Sequence, residues 1–98
     1  MKLRKNLKTH FKQSVTDKII QEIKEAHDAK VEIDYISLSQ DEWVYFCREL
    51  NSILTTELSV QFVAKYKVSN FSTEYVVPEV VLKLWKVITN QEIRIKKE

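Results

Sequence analysis

The sequence predicts an α+β domain, and three observations lead to this prediction. Apolar residues recur every three or four positions in some segments, which is helix spacing, and alternate with polar residues in others, which is strand spacing. The chain has 98 residues, 44% hydrophobic and 31% charged, as is ordinary for globular proteins. The segments follow the order helix, then strand–helix–strand–strand–helix–strand. The last six match the βαββαβ order of a ferredoxin-like fold, an antiparallel sheet with two helices on one face.

A chain of this length forms one domain, here residues 1–98. We divide it into a basic amphipathic helix over residues 1–29 and an α+β core over residues 30–98. The single cysteine, Cys47, excludes an internal disulfide and favours a reducing compartment. The basic start lacks the apolar segment of a signal peptide, and the most apolar stretch, residues 75–82, is shorter than the roughly 20 residues of a membrane helix. We therefore expect a cytoplasmic protein.

The N-terminal helix has two alternative beginnings. Its apolar stripe runs through the whole segment and consists of Leu3, Leu7, Phe11, Val15, Ile19, Ile23 and Ala26. This periodicity predicts one helix from Leu3 to His27. Ser14 and Asp17 instead have the spacing of a capping box, which would start the helix there and leave a basic arm before it. Periodicity favours the first version, whereas the basic residues favour the second because cations oppose the helix dipole at its N-terminus.

A strand and a helix come next. Residues 31–35 alternate between apolar and acidic side chains, which predicts a half-buried strand, and the apolar phase then shifts, so we expect a β-bulge near Tyr35–Ile36. Ser39 and Glu42 have capping-box spacing and start a helix. Its buried stripe consists of Trp43, Phe46, Cys47, Leu50 and Leu54.

Two further strands are predicted over residues 58–68 and 71–77, because apolar and polar residues alternate in both. Ser69–Asn70 lies between them and predicts a hairpin, since Asn tolerates the left-handed conformation of a tight turn. The aromatic residues share the apolar phase and are expected in the core: Phe62, Tyr66, Phe71 and Tyr75. A platform of aromatic side chains that stacks RNA bases is therefore not expected on the open face.

The chain ends with a helix and a strand. Pro78 ends the preceding strand and suits the first residue of a helix, whose apolar stripe is Val80, Val81, Leu84, Trp85 and Ile88. Thr89–Asn90 stops this helix, and residues 93–95 form a short final strand. Trp43 and Trp85 lie on the stripes of two helices and are expected in the core; the alternative is that one of them anchors a partner.

The chain contains no glycine. Phosphate-binding loops, dinucleotide-binding fingerprints and nucleophile elbows use glycine where the backbone approaches a ligand or takes a positive φ. None of these motifs is present in its usual form. We therefore expect no enzymatic activity and no cofactor.

The reactive side chains each have a simpler structural explanation. Cys47 lies mid-helix on an apolar stripe, whereas a reactive thiolate needs exposure and a cationic neighbour or a helix N-terminus. His10 and His27 are too far apart in sequence to form a local metal pair, so no metal site is expected. Glu32 and Asp34 have the chemistry for acid–base catalysis or Mg²⁺ binding, but a solvated strand face opposite Lys65 or Lys67 explains them more simply.

The start of the chain is its most strongly charged part. Five basic residues precede the first acidic one, Asp17, although the net charge is only +2 and the isoelectric point about 8.6. A solvated face is the simplest explanation, but such a block also attracts nucleic acid, anionic lipid or an acidic protein surface. The candidate binding residues are Lys2, Arg4, Lys5, Lys8, Phe11 and Lys12.

By elimination, these observations favour a small non-enzymatic binding protein, an adaptor or inhibitor, that acts by protein–protein interaction. The N-terminal stripe would pair with a target protein, or with a second copy to give a homodimer. The alternative is nucleic-acid binding through the basic residues, and membrane-surface binding of the same helix is a minor third hypothesis. The content of Lys, Ile and Asn is typical of AT-rich genomes and is compatible with a phage or mobile-element origin.

Overall fold

The structure is a computed structural model; it describes residues 2–6, by their backbone, and residues 14–98. In chain order the described elements are β1 (Lys2–Asn6), α1 (Val15–Asp28), β2 (Glu32–Leu38), α2 (Gln40–Glu57), α3 (Val60–Tyr66), β3 (Glu74–Val76), α4 (Glu79–Leu84) and β4 (Arg94–Lys97). The predicted mixture of helices and strands is confirmed.

The described strands form one mixed sheet in the order β1-β2-β4-β3. β1 is parallel to β2, β2 is parallel to β4, and β3 is antiparallel to β4. α1 connects β1 to β2, since parallel neighbours need a crossover between them. A ferredoxin-like sheet is antiparallel, so the ferredoxin-like prediction is wrong.

The N-terminal helix begins later than periodicity predicted. Lys2–Asn6 is a strand and the helix starts at Val15, so the prediction of one helix from Leu3 to His27 is wrong. The alternative capping signal decides the start, because the Ser14 hydroxyl accepts a hydrogen bond from the backbone N–H of Asp17 at 3.2 Å. Residues 7–13 lie outside the described part of the chain.

α1 belongs to the core instead of standing apart from it. Its buried residues Ile19 and Ile23 lie in the same apolar cluster as Leu50 of α2, Val81 of α4 and Ile36 of β2. Residues 30–98 therefore do not form a complete core without the helix that precedes them. Burial of these side chains is the main force that holds the helices against the sheet.

The expected irregularity in β2 is confirmed, one to two residues earlier than predicted. Leu3 pairs with Ile33 but Arg4 pairs with Tyr35, so Asp34 is the extra residue of a bulge. The bulge shifts the alternation of side chains, and Ile33, Ile36 and Leu38 are all buried.

α2 follows the sequence prediction closely. Ser39 accepts from the backbone N–H of Glu42 at 3.2 Å, and the Glu42 carboxylate accepts from the backbone N–H of Ser39 at 2.9 Å. This reciprocal capping box fixes the start of the helix. The five predicted stripe residues are the buried ones: Trp43, Phe46, Cys47, Leu50 and Leu54.

The predicted strand over residues 58–68 is wrong, because α3 occupies residues 60–66. Residues 60–66 fit both helix spacing and strand spacing. The helix buries a different set of side chains from the one that a strand would bury. Val63 and Tyr66, three residues apart, pack against the core. Val60, which the strand pattern placed inside, is 85% exposed. Without this strand there is no hairpin: β3 has β4 as its partner, although the predicted turn is present at Asn70–Phe71.

The last helix and strand are present with shifted bounds, and the predicted place of Ile88 on the helix stripe is wrong, because it lies beyond the helix and is 82% exposed. Pro78 is the residue before α4 and not its first residue, and α4 ends at Leu84. β4 occupies Arg94–Lys97 where a strand over residues 93–95 was predicted. Trp43 and Trp85 are 0% and 6% exposed, so both are core residues.

Candidate functional site

The outer side of α2 exposes large side chains near its N-terminal end. Val44 and Tyr45 fall between the buried stripe positions and are 41% and 53% exposed. The guanidinium carbon of Arg48 lies 5.9 Å from the centre of the Tyr45 ring, in a cation–π contact. These three residues form an apolar and aromatic surface with one fixed cation beside it.

The segment after α3 is tied to one flank of α2. The Asn51 side chain donates to the backbone oxygen of Val68 and accepts from its N–H, both at 2.9 Å. Nearer the start of α2, Trp43 Nε1 donates to the backbone oxygen of Ser69 at 3.1 Å. Val44 lies two helical turns before Asn51 and is therefore on this same flank.

Phe71 lies at the tip of the turn that these bonds hold in place. Its backbone N–H donates to Ser69 Oγ at 3.1 Å, and Lys97 Nζ donates to the oxygen of Asn70 at 2.8 Å. The Phe71 side chain is 95% exposed. We call Val44, Tyr45, Arg48 and Phe71 together the Phe71 surface.

The exposure of Phe71 corrects its predicted place in the core. The prediction relied on a strand through residue 71, but β3 begins only at Glu74. Tyr75, predicted beside it, is partly buried in the core region: it lies 5.9 Å from Phe46, edge to face, and its hydroxyl donates to the oxygen of Tyr66 at 2.8 Å. Burial raises the pKa of the Tyr75 hydroxyl.

The sequence-predicted binding residues are brought together only in part. Lys2, Arg4 and Lys5 lie in β1, at one edge of the described sheet, instead of on a helix. The other three, Lys8, Phe11 and Lys12, lie outside the described residues. The periodicity of the sequence does not indicate the Phe71 surface, although Val44 and Tyr45 lie off the apolar stripe of their helix.

The sheet face turned away from the core is polar and carries both acidic and basic side chains. Lys96 Nζ lies 4.4 Å from the centre of the Tyr35 ring, and Ser37 Oγ donates to the Glu98 carboxylate at 2.9 Å. The register also places Glu74 opposite Lys96. Acidic and basic groups therefore face each other across these strands, and Ser37 among them is buried.

The remaining candidate residues have structural surroundings. Cys47 is 4% exposed, and burial raises the pKa of its thiol despite the opposing charge of Lys97, so the nucleophilic thiolate is disfavoured. Glu32 and Asp34 border a shallow cavity of about 360 Å³ at the start of β2. They do not oppose Lys65, which lies in a helix.

Among residues 14–98, whose side chains are described apart from Phe62, no three His, Cys, Asp or Glu side chains come together in a way that would hold a metal ion. In the same part of the chain, no helix has both the length and the apolar character needed to cross a membrane. No protein-family model matches this chain, and neither the curated proteins nor the solved structures contain a match.

Proposed function

We propose that this chain is a small non-enzymatic binding protein that acts by protein–protein interaction through the Phe71 surface. The observation that carries the proposal is the 95% exposure of Phe71, in a turn tied to the flank of α2 where Val44 lies, together with the roughly half-exposed Val44 and Tyr45 on that helix. When a partner covers a large exposed aromatic side chain, its apolar surface is removed from water, and this burial makes the free energy of binding more favourable.

The chemistry of the surface fits the centre of a protein interface. Phe, Tyr and Arg are enriched at such centres, and Tyr and Arg are frequent among the residues that dominate binding energy. Arg48 is already oriented by its contact with the Tyr45 ring. Hydrogen bonds from Trp43 and Asn51 fix the segment before Phe71, so little conformational entropy is lost when a partner binds.

The partner that fits is a folded protein with an apolar pocket for Phe71 and an acceptor for Arg48. The test compares a tagged natural chain with the double variant Phe71→Ser, Tyr45→Ser in nuclease-treated lysate of its host. We expect discrete partners whose capture falls at least tenfold in the double variant, the scale of losing two interface anchors. Size-exclusion chromatography with light scattering, run first, identifies the case in which the partner is a second copy.

Val60→Ser is the matched control, because Val60 is also an exposed apolar residue, at 85%. It follows the far end of α2, roughly 20 Å along the helix axis from Tyr45. Capture that is unchanged in the double variant, or reduced equally in the control, would refute the role of the Phe71 surface.

Nucleic-acid binding through the basic start of the chain is the second candidate. Its support is that Lys2, Arg4 and Lys5 lie along one edge strand, in a sheet that also contains Arg94 and Lys96. If five basic residues contact phosphates, the logarithm of affinity for duplex DNA should fall with the logarithm of salt concentration with a slope of about −4.5. Affinity that does not depend on salt would eliminate this candidate.

A further inference from the structure

A pocket lies where α1, α2 and α4 meet, away from the Phe71 surface. Its volume is about 450 Å³, within the range of small-molecule sites. The start of α1 contributes Thr16 and Ile20, the middle of α2 contributes Glu49 and Ile53, and the end of α4 contributes Trp85. The wall therefore combines apolar side chains with polar groups from the start of α1 and the middle of α2.

One of the residues that line this pocket has a buried polar atom without a partner. Among the described residues, Trp85 Nε1 is hidden from solvent and donates to no acceptor, whereas the Thr16 side chain is among the groups that lower the pKa of Glu49. Trp85 is 6% exposed. A buried donor without an acceptor is costly, and native proteins rarely leave one. Because Trp85 lines the pocket, its unpaired donor is a second observation that points to a ligand with an acceptor group.

Glu49 sets the charge of the pocket, and the Thr16 side chain is among the groups that lower the pKa of its carboxyl, so Trp85 Nε1 is the atom left without an acceptor. Its carboxylate accepts from Ser14 Oγ at 2.6 Å, from Thr16 N at 2.9 Å and from Val15 N at 3.3 Å. Asp17 adds a second acid, and the described residues of the lining include no basic side chain. The pocket therefore repels anions, and its apolar wall favours an uncharged ligand.

We propose that this pocket binds a small, uncharged, mainly apolar molecule whose carbonyl oxygen accepts a hydrogen bond from Trp85 Nε1. The apolar part of the ligand lies against Ile20, Ile53 and the Trp85 ring. Because Nε1 is hidden in the free protein, binding requires a small rotation of that ring, as is common for side chains at binding sites. The site is separate from the Phe71 surface, and its occupancy does not depend on the proposed protein partner.

The test uses the full chain labelled with ¹⁵N and three probes of similar size: acetophenone, toluene and benzoate. The chain has two tryptophans, so its spectrum contains two indole N–H resonances. Trp43 Nε1 already donates to Ser69 and serves as an internal reference. We expect acetophenone to shift the Trp85 resonance downfield in a saturable way, to leave that of Trp43 unchanged, and to bind about tenfold more tightly than toluene. Benzoate should not bind.

Trp85→Phe separates the hydrogen bond from the apolar contact. It keeps an aromatic ring but removes the donor, so acetophenone and toluene should bind this variant equally. If the variant does not fold, the comparison of the probes on the natural chain decides alone. A Trp85 resonance that does not move with millimolar acetophenone, or equal binding of toluene and acetophenone to the natural chain, would overturn the proposal.

Discussion

Lys30 and Lys86 are the two described residues with positive φ, at 57° and 58°, and each follows the end of a helix. After α4, the Lys86 N–H donates to the oxygen of Lys83 and the next N–H donates to that of Leu82, which is the Schellman pattern. Glycine usually occupies this position, because a Cβ is unfavourable at positive φ. This chain contains no glycine, so a lysine takes the position. We expect Lys86→Gly to raise the free energy of unfolding by about 0.5–1 kcal/mol, measured by urea denaturation. Lys86→Ala keeps the Cβ and should give no such gain; an equal gain in both variants would contradict this explanation.

At the scale of elements, one carboxylate joins α2 to the start of α1. Burial opposes the charge of Glu49, but hydrogen bonds from the Ser14 hydroxyl and the Thr16 N–H outweigh it, and the pKa of Glu49 is lowered. A lowered pKa stabilises the fold above the unfolded value of about 4.3, and this contribution is lost as the pH falls through the folded value. We expect Glu49→Gln to cost about 1–2 kcal/mol at pH 7, and the difference from the natural chain to shrink below about pH 4.

Urea denaturation of both proteins from pH 3 to 7 measures this dependence of stability on pH. Glu57→Gln is the control, because Glu57 is the exposed last residue of the same helix. Its carboxylate lies at the negative end of the helix dipole, so the control should leave stability unchanged or slightly higher. A cost for Glu49→Gln that is the same at pH 3 and pH 7 would mean that the charge of Glu49 does not stabilise the junction.

At the scale of the whole molecule, β1 closes one side of the sheet by pairing with β2 from Lys2 to Asn6. Deletion of residues 1–6 removes these backbone hydrogen bonds and exposes the edge of β2, so we expect a loss of about 2–5 kcal/mol in the free energy of unfolding. The triple variant Lys2→Gln, Arg4→Gln, Lys5→Gln keeps the strand and should cost less than about 0.5 kcal/mol. Equal stability of the deletion and the natural chain would show that β1 does not support the fold.

Elements with local signals were predictable from the sequence. The capping box at Ser39 marked the start of α2, the stripe behind it identified the buried residues of that helix, and the phase shift near Tyr35 indicated the bulge. Ser14 was only the alternative start of α1, because periodicity favoured a longer helix. Each of these depends on hydrogen bonds or side-chain spacing within a few residues, so no distant contact was needed to predict it.

Where one pattern fits two kinds of element equally well, long-range contacts select between them. Residues 60–66 satisfy both helix and strand spacing, and contacts of Val63 and Tyr66 with the core select the helix. Strand order is also non-local, since β4 lies between β2 and β3 although it is last in the chain. The Phe71 surface and the pocket at Trp85 arise from these same long-range placements. Burial of apolar area depends on which segments meet, and the periodicity of one segment does not contain that information.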